Sequence, residues 1–213
     1  MDTNRFVTNR DVFTLINEDL GLTAMAGCYL LGIPQGRWNV ISRDARTERR
    51  AHHAISRPTL AVLARWLNDH PRNQPDMYRE IDTLEAYRTL RSATPFKLTK
   101  KAFGLLLGLH ASAGHRWITQ TRPPFPSVMR ALEFVLSGTE KQISENWQKW
   151  IDYAILEARL RGCPDLIAEE KNWPVPHGPA PHTPSPIDRM PGSPYPLTHY
   201  LETHQCFACA QTS

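Results

Sequence analysis

The chain repeats itself. Leu22/Leu98, Thr23/Thr99, Ala26/Ala102, Leu30/Leu106, Leu31/Leu107 and Gly32/Gly108 agree at a constant offset of 76. That much ungapped agreement marks two copies of one supersecondary unit, each built by the same local rules. In the first copy Thr23 sits where a helix N-cap belongs and an apolar helix spans 24–31. Gly32 ends it, because a tight turn between crossed helices needs a left-handed backbone. Ile33 fills the space between the helices. Pro34 suits the first turn of the next helix, 34–42, where its missing N–H has no intrahelical partner. Trp38 and Ile41 face inward there, leaving Gln35, Arg37, Asn39 and Arg43 outward. Cys28 is the small residue expected at the crossing. In the second copy Gly104 is the small residue, Gly108 the turn, Leu109 the plug and Trp117 a later core residue.

This is the residue logic of a helix-turn-helix motif. The second copy, 98–134, also resembles the Cro/repressor (XRE-like) type of DNA-binding domain. Gly108, Trp117 and Pro124 keep that family's spacing, and SVMRALEFVL then supplies a helix with an apolar face. Two departures stand out. Gly114 occupies a place that the family usually gives to a β-branched residue, which predicts a looser second helix. An insert, 44–57, precedes Pro58 in the first copy. The resemblance implies an all-α fold and sequence-specific DNA binding, most simply a transcriptional regulator of a phage, plasmid or integrated element. Other classes are a non-enzymatic adaptor and a DNA-processing accessory of relaxosome or partition type.

In such a motif the second helix offers side chains to the major groove. The candidates are Gln35, Arg37, Asn39 and Arg43 in the first copy, and Ser112, His115 and Arg116 in the second. Arg pairs bidentately with guanine, and Gln or Asn with adenine. The insert DARTERRAHHAISR carries Arg46, Arg49, Arg50 and Arg57 against Asp44 and Glu48, either as a phosphate-contacting loop or as an ordinary solvated one. Amides near Thr23 and Thr99 offer further phosphate contacts, with Lys100 and Lys101 beside the second.

The units divide as 1–75, a linker helix over 76–94 with Met77, Ile81 and Leu84 inward, and 95–138. A first helix carries Val12, Phe13, Ile16 and Leu20 on one face, with Asn9 or Asp11 as its cap. Over 139–170, Ile143, Trp147, Trp150, Ile151, Ala154, Ile155 and Ala158 make an apolar stripe, suited to docking on the second unit or to a two-fold homodimer. The segment 171–213 is Pro-rich and expected to be disordered. There His199, His204, Cys206 and Cys209 are four zinc-type ligands, the two Cys at a genuine metal spacing; the other reading is a tail with free thiols. No other cofactor is expected.

The formal net charge is +4, which suits nucleic acid without demanding it. Four Cys in 213 residues do not make a disulfide scaffold. With no signal-peptide pattern and no long apolar run, the expectation is a cytoplasmic chain with no membrane contact. No phosphate-binding Gly loop, nucleophile elbow or H-E-x-x-H occurs, so no enzyme activity is expected.

Overall fold

The polar lead-in closes on Thr8, rather than Asn9 or Asp11. Thr8 caps α1 (Asn9–Thr14): its hydroxyl accepts from the Asp11 N–H while the Asp11 carboxylate accepts from the Thr8 N–H, a capping box. The helix runs on as a π-helical turn, Leu15–Asp19. α2 (Ala24–Leu31) is capped by Thr23, and Gly32 stops it at φ 61°. α3 (Gln35–Arg46) begins after Pro34 as N-cap and extends a turn beyond 42. Residues 44–46 are therefore helix rather than loop, and α4 (Glu48–Ala51) adds a short turn. An isolated antiparallel bridge joins Thr8 to Ala54, and α5 (Pro58–Asp69) follows.

The second copy retraces this path. α6 (Thr83–Ser92), capped by Asp82, buries Thr83, Ala86, Tyr87 and Leu90. Ile81 and Leu84 are only half-buried, and Met77 lies outside the described residues. α7 (Lys100–Leu106) is capped by Thr99, Gly108 turns at φ 81°, and α8 (Ala111–Ile118) follows. α9 (Pro126–Val135) opens at Pro126, not at Pro124: the earlier pair of prolines is connecting chain. α10 (Glu140–Leu160) starts from a Thr139–Gln142 capping box. The computed structural model describes residue 1 and residues 3–71, 81–119, 122–168 and 173–174. Among these every regular element is helical. The Pro-rich segment from 175 onward falls outside them.

α5 and α9 are the central helices, buried from Thr59 to Leu67 and over nearly all of Ser127–Val135. Each begins with an N1 proline, preceded by Arg57 in one case and Phe125 in the other. Each plugs the turn of the other copy. A Cβ added at Gly32 would lie 2.5 Å from the Pro126 carbonyl oxygen, and one at Gly108 would lie 2.2 Å from the Thr59 nitrogen. No side chain fits at either turn, quite apart from the left-handed φ. The hydrogen bonds are reciprocal too. The Thr59 hydroxyl donates to the Leu107 carbonyl at the end of α7 (2.7 Å), and Arg130 Nε donates to the Tyr29 carbonyl in the last turn of α2 (2.9 Å). Each first helix of a pair thus has a terminal carbonyl satisfied by the opposite copy. The Arg130 guanidinium also lies 4.0 Å from the Tyr29 ring centroid and pairs with Glu133.

α10 docks onto this pair. Trp147, Trp150, Ile151, Ala154 and Ala158 are buried inside the chain. The indole N–H of Trp147 donates to Thr94 Oγ1 (2.8 Å) and that of Trp150 to the Leu106 carbonyl (2.9 Å). The centre of the stripe is thus covered by the chain itself, while Ile143 and Ile155 at its flanks are only half-buried. One turn further along, Glu157 is fully buried between two arginines. Arg65 Nη2 lies 3.0 Å and Arg161 Nε 2.9 Å from its carboxylate, and the Val7 N–H points at both oxygens from 3.3 Å. The spare donors of the arginines reach the carbonyls of Arg5 and Ile55.

Candidate nucleic-acid interface

α3 separates its faces by helical period. Trp38, Ile41 and Ala45 are buried, while Gln35, Asn39 and Arg43, four residues apart, form an exposed row. Gln35 Nε2 donates to Asn39 Oδ1 (3.3 Å), so the two amides brace one another. Cys28, the buried small residue of α2, faces Gln35 Oε1 at 3.5 Å. Burial pushes the Cys28 thiol pKa up, so it stays protonated.

Arg37 departs from that row. It is half-buried, its guanidinium donates to the Ser56 hydroxyl, and its Nε is buried without a hydrogen-bond partner. Burial, then the nearby charge of Arg57, lower its pKa from the ordinary arginine value, with Asp44 pulling the other way. It borders a depression of about 470 Å³ shared with Asn9, Asp44, Arg50 and His53. Arg43 and Arg50 lie 3.4 and 3.7 Å from the same Asp44 oxygen, with both arginines more than half exposed. With both guanidiniums largely in water, although Asp44 is only 14% exposed, solvent weakens each pair. Arg46 rests over the Phe13 ring, 5.2 Å from its centroid. The Arg49 side chain lies outside the described set. Ser56, His53 and Arg57 join this cluster only because the chain returns beside α1 at the Thr8–Ala54 bridge, a contact that leaves no mark in helical spacing.

α8 exposes Ser112 and His115 and buries Ala113, Gly114, Trp117 and Ile118. Arg116 is half-buried and turns back, its Nη2 lying 2.6 Å from His110 Nε2. A guanidinium only donates, so this imidazole nitrogen accepts and Nδ1 carries the proton facing Ser112 Oγ at 2.7 Å. Gly114 does not loosen the helix. A Cβ there would sit 2.0 Å from the Lys100 carbonyl oxygen, and one at Gly104 would sit 2.7 Å from the Gly114 nitrogen. The two glycines let α7 and α8 touch backbone to backbone, and a β-branched residue would force them apart.

The Thr23 and Thr99 hydroxyls accept from the amides of Ala26 and Ala102, and Lys100 and Lys101 are exposed beside the second. Among the described residues no three His, Cys, Asp or Glu side chains converge as a metal site. His199, His204, Cys206 and Cys209 lie outside those residues. No helix of the described residues is long and apolar enough to cross a membrane. The chain matches no protein-family model, no curated protein and no solved structure.

Proposed function

We propose that the chain is a sequence-specific DNA-binding protein that uses tandem helix-turn-helix motifs, most simply as a transcriptional regulator. One observation carries the reading. A helix, a left-handed glycine and a second helix occur twice, and in the first copy the second helix presents the unburied row Gln35, Asn39 and Arg43. Those residue types read base edges in the major groove. Arg46 and Arg50, with Lys100 and Lys101 in the other copy, supply phosphate contacts. Arg37 serves best as a brace between α3 and Ser56, with any phosphate contact secondary.

The test is enrichment of duplexes from a random pool, followed by gel shifts across salt. Recovery of a common sequence, bound more weakly as salt rises, supports the reading. No enriched sequence, or affinity indifferent to salt, refutes it. An adaptor role is the second reading. It is favoured by Met25 and Tyr29 on α2, which are 69% and 47% exposed, and it predicts no enriched duplex. Footprints on the chain's own promoter against a transfer origin separate a regulator from a DNA-processing accessory.

A further inference from the structure

We infer that one copy of this chain reads both halves of an imperfect inverted repeat, binding duplex DNA as a monomer. This rests on the DNA-binding reading above and adds the architecture of the site.

The contacts between the copies have the form of a two-fold interface. In such an interface residue i of one half meets j of the other, and j of the first meets i of the second. Here the turn glycine is i and the second residue of the central helix is j. Gly32 abuts Ser127, and Gly108 abuts Thr59. Residues on the axis itself should meet their own equivalents. Arg57 and Phe125 are equivalent, each capping its helix just before the N1 proline, and the Arg57 guanidinium lies 5.7 Å from the Phe125 ring centroid.

Both of these residues are exposed, so the axis leaves the protein where they lie. The two second helices begin beside that point. α3 is tied to it through the Arg37–Ser56 hydrogen bond. On the other side Ser56, Arg57, Phe125, Gly108 and His110, just ahead of α8, line one cavity of about 360 Å³. Two-fold dimers of helix-turn-helix domains read palindromes because the protein axis coincides with a DNA axis. This chain holds the equivalent relation internally, and α10 buries Trp147, Trp150, Ile151, Ala154 and Ala158 within the same chain. The halves are not identical. α3 has 12 residues and presents Gln35, Asn39 and Arg43, while α8 has 8 and presents Ser112 and His115. The two half-sites should therefore be inverted but unlike.

The experiment uses the full chain and its enriched duplex. Native mass spectrometry gives the stoichiometry, and repeated selections with Asn39→Ala and His115→Ala, both exposed positions, assign the halves. The expected result is one chain per duplex, two inverted elements, and each variant relaxing base preference in one element only. Scrambling either element should weaken binding about tenfold or more. Two chains per duplex, a single or directly repeated element, or His115→Ala without effect on either element overturns the inference while leaving DNA binding intact. Failure to enrich any duplex removes the DNA reading and this inference with it.

Discussion

Glu157→Gln is the sharpest probe of what holds α10 to the first copy. The change keeps size and one carbonyl acceptor but removes the negative charge held between Arg65 and Arg161. The carboxylate is fully buried, and the side chains of Arg65 and Arg161 are 4% and 1% exposed, so water does not screen what remains. Two guanidiniums then share a dry site with a neutral amide. Removing one partner from a buried ion pair costs about 3–5 kcal/mol. The lost charge-assisted bonds fall within that range and are not added to it. Against a total stability of roughly 5–15 kcal/mol this is a large fraction. For a chain of this size it lowers the melting temperature by roughly 6–20 °C. Calorimetry or urea unfolding read by tryptophan fluorescence measures it. The exposed Lys141–Glu145 pair is the control, and Glu145→Gln should cost less than about 0.5 kcal/mol. If Glu157→Gln costs no more than that control, the buried carboxylate does not hold α10 in place.

Gly114→Val should destabilise by about 3 kcal/mol or more, because backbone cannot move aside as a side chain does. Gly36→Ala, with nothing within 4 Å of the new methyl, should instead stabilise α3 by about 0.4–1 kcal/mol; both are read by thermal unfolding. Burial works to raise the Asp11 pKa, but hydrogen bonds from Arg5 and Thr8 outweigh it and hold the carboxyl below its ordinary value. A native pKa below the unfolded value of about 3.9 contributes stability above that pH and loses it as pH falls through the native value. The stability gap between the parent chain and Asp11→Asn should thus be open at neutral pH and close in acid, as unfolding across pH will show. Trp66 Nε1 is buried without a hydrogen-bond partner, whereas Trp150 Nε1 donates to Leu106. Trp66→Phe should therefore cost less than Trp150→Phe by about 1 kcal/mol in the same assay.

What the sequence disclosed was local. Thr23, Gly32, Thr99 and Gly108 obey rules that span four or five residues, and each was placed where it stands. The row Gln35, Asn39 and Arg43 followed from helical period alone. Features fixed by distant partners were not legible in the same way. Arg37 and Arg116 share the exposed-looking positions of their helices, but Ser56 and His110 draw them in. Gly114 read as a defect because its partner, Gly104, is ten positions away on another helix and the pair has meaning only together. Pro124 fits a spacing along the chain, whereas the helix opens two residues later at Pro126, which packs against Gly32 in the other copy. The reciprocal plugging of the turns had no signature at all, since a repeat shows that two units exist and not how they meet.

The Glu157 cluster also sets an order of events during synthesis. Its carboxylate closes on the Val7 amide across 150 residues, and Arg161 reaches back to Ile55. At about 5–20 residues per second the chain start waits roughly 8–30 s for its partner to be made. Until then Arg65 lacks the Glu157 carboxylate, and until α9 is made the first turn lacks its cover. The amino-terminal half thus stays incomplete for most of its own translation, and it settles only when α10 arrives.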